Sequence, residues 1–197
     1  MTTMGRPRQF DTEEALDKAL DVFWRHGYEG ASIAELTQAM GISPPSLYAA
    51  FGNKEQLFRQ ALDLYEREKL AYVGQALEQP TARAVAKRLL EGALATVSGD
   101  CEPRGCLGVI SSTACGSEAE SIRAEVLKRG RIVHQACVER MQRAIDEGDF
   151  FGPTDAGAIT KYLMAVLQGM SVQAGAGSSR KELESIVETT LAMWPSR

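Results

Sequence analysis

Residues Ser32–Leu57 read SIAELTQAMGISPPSLYAAFGNKEQL, and the punctuation of this stretch decides the fold. Ser32 followed three residues later by Glu35 is the reciprocal signature of a helix start. Ile33, Leu36 and Met40 then fall on one side at helical spacing, and Gly41 ends the short helix. Ser43 precedes Pro44 and Pro45. Proline disfavours helical geometry in the residue before it and is accepted in a first helical turn, so a new helix begins there and carries Ser46, Leu47, Tyr48 and Phe51. Gly52 breaks it, and Asn53 caps the next helix. Two short helices joined by the tight turn Gly41-Ile42-Ser43 make a helix-turn-helix. In it Leu36, Ile42 and Leu47 pack inward and leave the N-terminal face of the second helix free. A helical corner inside a core has the same bare pattern.

Working outward, Asp11 and Glu14 form another capping box, and Leu16, Ala19, Leu20 and Phe23 make the buried stripe of a first helix that stops at Gly27. The helix capped by Asn53 is expected to run from Lys54 to Gln79, where Pro80 stops it. Further helices are read at 82–98, 105–115, 118–147, 155–174 and 180–194, separated by turn-forming clusters such as Ser98-Gly99-Asp100 and Gly175-Ala176-Gly177. Nowhere does strict apolar alternation bounded by turn residues mark a strand. The expectation is an all-α chain of about nine helices, with residues 1–53 as one domain and 54–197 as a second.

At 197 residues, 44% apolar and 24% charged, the chain has the make-up of an ordinary globular protein with a real core. No run approaches the roughly 18 uncharged apolar residues of a membrane span, and Met1–Phe10 lacks a signal peptide's apolar stretch, so a cytoplasmic protein with no membrane partner is expected. The four cysteines read as free thiols. No nucleophile–base set, paired carboxylates, phosphate loop or dinucleotide fingerprint stands out, which argues against an enzyme, and no cofactor is implied. The net charge of −4 runs against general nucleic-acid affinity, and residues 1–60 carry six Lys/Arg against eight Asp/Glu. A DNA surface here has to be made by placement, with acids turned away.

Residues 11–58 as a whole resemble the DNA-binding domain of the TetR family of bacterial regulators. The shared elements are the Gly27-Tyr28 pair at a helix end, Ser32 opening the next helix, Ile33, Leu36 and Gly41 before Ser43, then Leu47-Tyr48, Phe51 and Lys54. The Arg6-Pro7-Arg8 arm is also common in the family. The resemblance implies a sequence-specific transcription regulator, by default a repressor, that binds a near-palindromic double-stranded operator as a homodimer. It further implies that Ser32, Tyr48 and Lys54 touch phosphates, and that Ser43, Pro44, Pro45, Ser46 and Ala49 meet base edges. Helix N-terminal amides and a positive side chain do attract phosphate oxygens. The base-reading face, however, offers no bidentate arginine–guanine pair, so DNA shape is expected to share in specificity. Arg6 and Arg8 would enter the minor groove or grip the backbone; the other reading is a tail without DNA contact.

In the family the last two helices pair across the dimer, which points to Leu163, Val166, Leu167, Met170, Leu183, Ile186, Val187 and Leu191. An intramolecular core explains the same stripes. The family also encloses a cavity for a small-molecule effector behind the fourth helix, with Tyr65, Leu107, Ile110, His134, Val138, Met141 and Gln168 as candidate lining, although such residues equally build plain core. A ligand that favours one setting of that helix would change the spacing of the two recognition helices. Cys106, with Cys101 and Arg104 nearby and a helix starting at it, is the candidate for an alternative, thiol-based redox or electrophile sensor, whereas Cys115 and Cys137 read as inert. His134 and Cys137 sit three apart, but the only other histidine is His26, so metal sensing is not expected. A helical ligand carrier without DNA function is the remaining alternative.

Overall fold

Asp11 opens the first helix by accepting hydrogen bonds from the amides of Glu13 (2.8 Å) and Glu14 (3.3 Å). Glu14 does not reach back as a capping box requires; its carboxylate turns to Lys18, 2.7 Å away. The computed structural model describes residues 10–98, 105–113, 116 and 119–197, and among these the chain forms ten helices. They are α1 (Thr12–Gly30), α2 (Ile33–Met40), α3 (Pro44–Phe51), α4 (Lys54–Lys69), α5 (Tyr72–Leu77), α6 (Ala82–Val97), α7 (Leu107–Ser112), α8 (Glu120–Asp146), α9 (Ala156–Gly175) and α10 (Arg180–Ala192).

Two boundaries differ from the sequence expectation. At Gly27 the backbone takes φ 69°, ψ −178°, so α1 kinks there instead of stopping and adds one more turn through Gly30. The long helix expected from Lys54 to Gln79 breaks at Leu70, which raises the helix number from nine to ten. No proline or glycine causes this break. Thr96 of α6 donates a hydrogen bond to the carbonyl of Lys69 (3.2 Å), and the Tyr72 ring occupies the space where a Cβ on Gly92 would stand. A contact distant in sequence thus takes over from the intrahelical hydrogen bonds.

The buried residues form two clusters. The first joins α1 to α4 with Leu107 of α7 and Ala119, Ile122 and Val126 at the start of α8; the second joins α5, α6, the later half of α8, α9, α10 and Trp194. Every buried residue of α4, from Leu57 to Tyr65, lies in the first cluster. Apolar packing therefore does not cut the chain at one point: α4, α7 and the start of α8 share a core with α1 to α3.

Ion pairs bind α4 to α8. Arg129 reaches Asp63 (2.6 Å), Glu66 (2.9 Å) and Glu125 (2.9 Å), while Arg59 reaches Glu55 (2.8 Å) and Glu125 (3.4 Å). The hydrogen bond from Arg129 holds Glu125 below the ordinary carboxylate value of 4.5, and that from Arg59, followed by Ser121, does the same for Glu55. A carboxylate with a depressed folded pKa stabilises the folded arrangement above its unfolded value and loses that contribution as pH falls through the folded value. The contacts of these carboxylates that cross from α4 to α8 are Ser121–Glu55 and Arg59–Glu125, so acidification through the carboxylate range is expected to loosen that joint before the cores melt. Amide exchange should accelerate in α4 and the first half of α8 ahead of α6. Uniform acceleration would contradict a local joint.

Candidate nucleic-acid interface and sensing region

The recognition helix is anchored by its own apolar side. Leu47 and Phe51 are buried, and Leu36 and Met40 of α2 join them with Ile42 packed alongside, as the inward triad Leu36, Ile42 and Leu47 required. Gly41 makes the turn in the left-handed conformation (φ 67°, ψ 29°), and Ser43 caps α3, its Oγ 2.9 Å from that of Ser46. What remains outward on α3 is Pro44, Pro45, Tyr48 and Ala49, with Ser43 exposed at the cap and Ser46 half-buried. Tyr48 is 50% exposed. These positions lie on one helical face, one turn apart.

Ser32 caps α2 in the reciprocal box with Glu35, but the box also occupies it. Its Oγ donates to Glu35 Oε2 (2.7 Å) and accepts from the Glu35 amide (3.1 Å), while its own amide donates to the same Oε2 (2.9 Å). These hydrogen bonds keep Glu35 below its ordinary carboxylate pKa. A phosphate at this helix start is then best met by the first-turn amides, which an α-helix leaves without intrahelical partners. Lys54 begins α4, directly after the Asn53 cap, with its Nζ 4.6 Å from the centre of the Tyr28 ring. Nothing in the spacing of Tyr28 and Lys54 announces this contact. Arg6 and Arg8 lie outside the described residues.

Three acids of the N-terminal half have partners of their own. Glu55 pairs with Arg59, Glu14 with Lys18, and Glu29 accepts from the Gly116 amide at 2.8 Å, across in the sensing half.

In the sensing half, Tyr65 and Leu107 are buried and Ile110 partly buried around Cys106. The Tyr65 hydroxyl has no well-formed hydrogen bond and faces the Cys106 sulfur and the Leu107 backbone; burial first, then Cys106, raises its pKa well above the ordinary value. Trp24 of α1 packs edge-on against Tyr65, ring centres 4.9 Å apart, and donates its indole N–H to the Gly105 carbonyl (3.1 Å). Cys106 is thereby tied to both α1 and α4. It stands at the N-cap position of α7 without a side-chain cap bond and is half-buried; Cys101, Arg104 and Cys115 lie outside the described residues.

The other candidate lining residues do not gather there. Val138 and Met141 pack in the second core, and His134 stands on the same helix with its Nε2 buried and unpartnered. Gln168 is exposed on α9, so it cannot line an internal cavity. Of the residues expected at the dimer seam, half turn fully inward. Leu163, Met170, Leu183 and Val187 are buried in the chain's own second core, and Val166, Leu167, Ile186 and Leu191 are partly buried against it. Apolar side chains left outward on the last two helices and just beyond are Tyr162 (43% exposed), Val172 (60%) and Met193 (65%). Among the described residues no three His, Cys, Asp or Glu side chains are grouped to hold a metal ion.

Burial pushes the Cys137 thiol up to about 11 from an ordinary 9.0. At neutral pH its thiolate is about a hundredfold scarcer than that of an ordinary thiol, before steric protection is counted. Iodoacetamide on the native protein should therefore alkylate Cys106 long before Cys137, read by peptide mass spectrometry. Equal rates would mean that the second core opens freely.

A three-helix reading head with a capped, outward recognition helix, coupled to an all-helical second half, defines a DNA-binding transcription regulator, not an enzyme. Residues 15–61 match the family described as bacterial regulatory proteins, tetR family. The HTH-type transcriptional repressor ComR of Escherichia coli (strain K12) is 35% identical over 97% of this chain and 92% of its own, and the repressor BdcR of the same organism is 29% identical over 91% and 86%. A cysteine-substituted form of the TetR family regulator CifR, solved with a 26-bp double-stranded operator, is 43% identical, with a TM-score of 0.90 over 97% of this chain and all of that one. The chain belongs to the TetR family. No described helix is long and apolar enough to cross a membrane.

Proposed function

We propose that this chain is a cytoplasmic, homodimeric repressor that occupies a near-palindromic operator and lets go when a small molecule settles in its C-terminal half. The observation that carries the reading is the position of α4: it begins at Lys54, three residues past the end of the recognition helix, and its later turns are ion-paired to α8 through Arg129. A ligand that shifts α8 against α4 moves the reading head directly. One half-site offers few contacts, so two copies are required, and the outward Tyr162 and Val172 on α9 supply apolar surface for the second copy. Repression follows the relatives named above, which are called repressors.

The test is fluorescence anisotropy of the reduced protein on DNA upstream of its own gene, titrated with salt against a scrambled duplex, with sedimentation giving the oligomeric state. Sequence-preferring binding by a dimer with a steep salt slope supports the reading. A monomer, or equal affinity for both duplexes, would overturn it.

A second reading is favoured by Cys106, whose Tyr65 and Gly105 neighbours connect it to α4 and α1. Addition of its thiolate across the C=C bond of an electron-poor alkene would form a C–S bond as the π bond breaks, the resulting carbanion taking a proton from water, and the added bulk would press on both helices. Cys106→Ser separates the two: if it abolishes release by electrophiles while leaving operator affinity intact, the signal is the thiol.

A further inference from the structure

Lys54 is the first residue of α4, where free helix amides and a positive charge together favour a phosphate. A lysine on a flexible stem is a poor phosphate clamp unless something holds it, because fixing its rotamers costs entropy. The Tyr28 ring supplies a fixed platform. It is nearly buried, stacks on Phe23 (centres 6.5 Å apart, planes 17°) and meets Phe58 edge-on (5.4 Å, 79°), while Phe23 and Phe58 meet edge-on at 5.0 Å. The ring stands directly after the Gly27 kink, so its place is set by the backbone as well as by packing. A cation over an aromatic face is attracted by the ring's quadrupole and gives up less hydration than in a buried ion pair. Glu35 lies within electrostatic reach of the same ammonium and would compete for it, but its Oε2 is already bonded twice to Ser32.

We propose that Tyr28 is a positioning residue for DNA binding: its ring holds the Lys54 ammonium at the start of α4, ready for a backbone phosphate. The inference rests on the reading of Lys54 as a phosphate contact. It requires no contact between Tyr28 and DNA.

The experiment uses the full-length protein and the duplex that the unaltered protein selects from a randomised pool, with affinity followed between 50 and 200 mM salt, a window of about fourfold in which phosphate contacts are well resolved. Lys54→Met should flatten the slope of log K against log salt by about 0.9 per half-site. Tyr28→Leu should lower affinity by about 2- to 5-fold per half-site and flatten the slope in the same sense, with little further loss in the double variant. Tyr28→Phe should retain the slope. Pentafluorophenylalanine at position 28 keeps the ring's shape while reversing the charge of its face; it should behave like Tyr28→Leu, and it serves where the leucine variant is unstable. A Lys54→Met slope equal to that of the unaltered protein would remove the phosphate contact and the inference with it. A flattened Lys54→Met slope beside unchanged slopes for both ring variants would overturn the role of Tyr28 alone.

Discussion

Phe58→Ala is expected to cost about 3–5 kcal/mol, a large share of the stability of any single domain. Phe58 is fully buried on α4 and meets both Phe23 and Tyr28 of α1 edge-on. Removing the ring takes away its transfer energy, leaves a cavity the remaining rings cannot fill, and ends two aromatic contacts that fix α4 on α1. Denaturant titration should show a lower midpoint with an unchanged slope. Operator affinity should fall as well, because the same three rings place Lys54. A loss below about 1 kcal/mol would mean that this core is far more plastic than close packing allows.

Gly27→Ala is the second large effect, at about 1–3 kcal/mol for the backbone alone. The conformation at Gly27, φ 69° with ψ −178°, is one that side chains other than hydrogen rarely adopt, and a Cβ there would lie 3.3 Å from Cγ2 of Ile110 on α7. Strain and contact act together: the variant either straightens the kink, moving Tyr28, or pushes α7 away. Gly130→Ala is the control. Gly130 lies inside α8 with open space where its Cβ would stand, so the same substitution should be neutral or stabilising by roughly 0.5–1 kcal/mol, which thermal melts would show. Equal losses at the two positions would refute the assignment of strain to Gly27.

The reading head was legible because its signals are local. Ser32 with Glu35, Ser43 before two prolines, and Asn53 after Gly52 each fix a helix end within four residues, and the structure places caps at all three. The break at Leu70 was not legible, since its causes lie far along the chain: Thr96 stands 27 residues from Lys69, and the glycine that makes room for the Tyr72 ring is Gly92. The stripe on the last two helices is legible only as a stripe. Leu163, Met170, Leu183 and Val187 show the right periodicity, but periodicity marks a buried face without saying what buries it. Tyr28 was visible only as half of a Gly-Tyr pair; its partnership with Lys54 depends on how α1 folds onto α4.

The apolar cluster that joins the reading head to α7 and α8 bears on how such proteins can be recombined. Leu57, Phe58 and Tyr65 come from α4, and Leu107, Ile122 and Val126 from beyond it, yet all share one core with α1 to α3. A chimera spliced at the Asn53 cap would pair a foreign α4 with native α1 rings and leave mismatched volumes along the seam. Transplanting the outward face of α3 alone, Pro44, Pro45, Tyr48 and Ala49, leaves that core as it is, since these exposed side chains are no part of it.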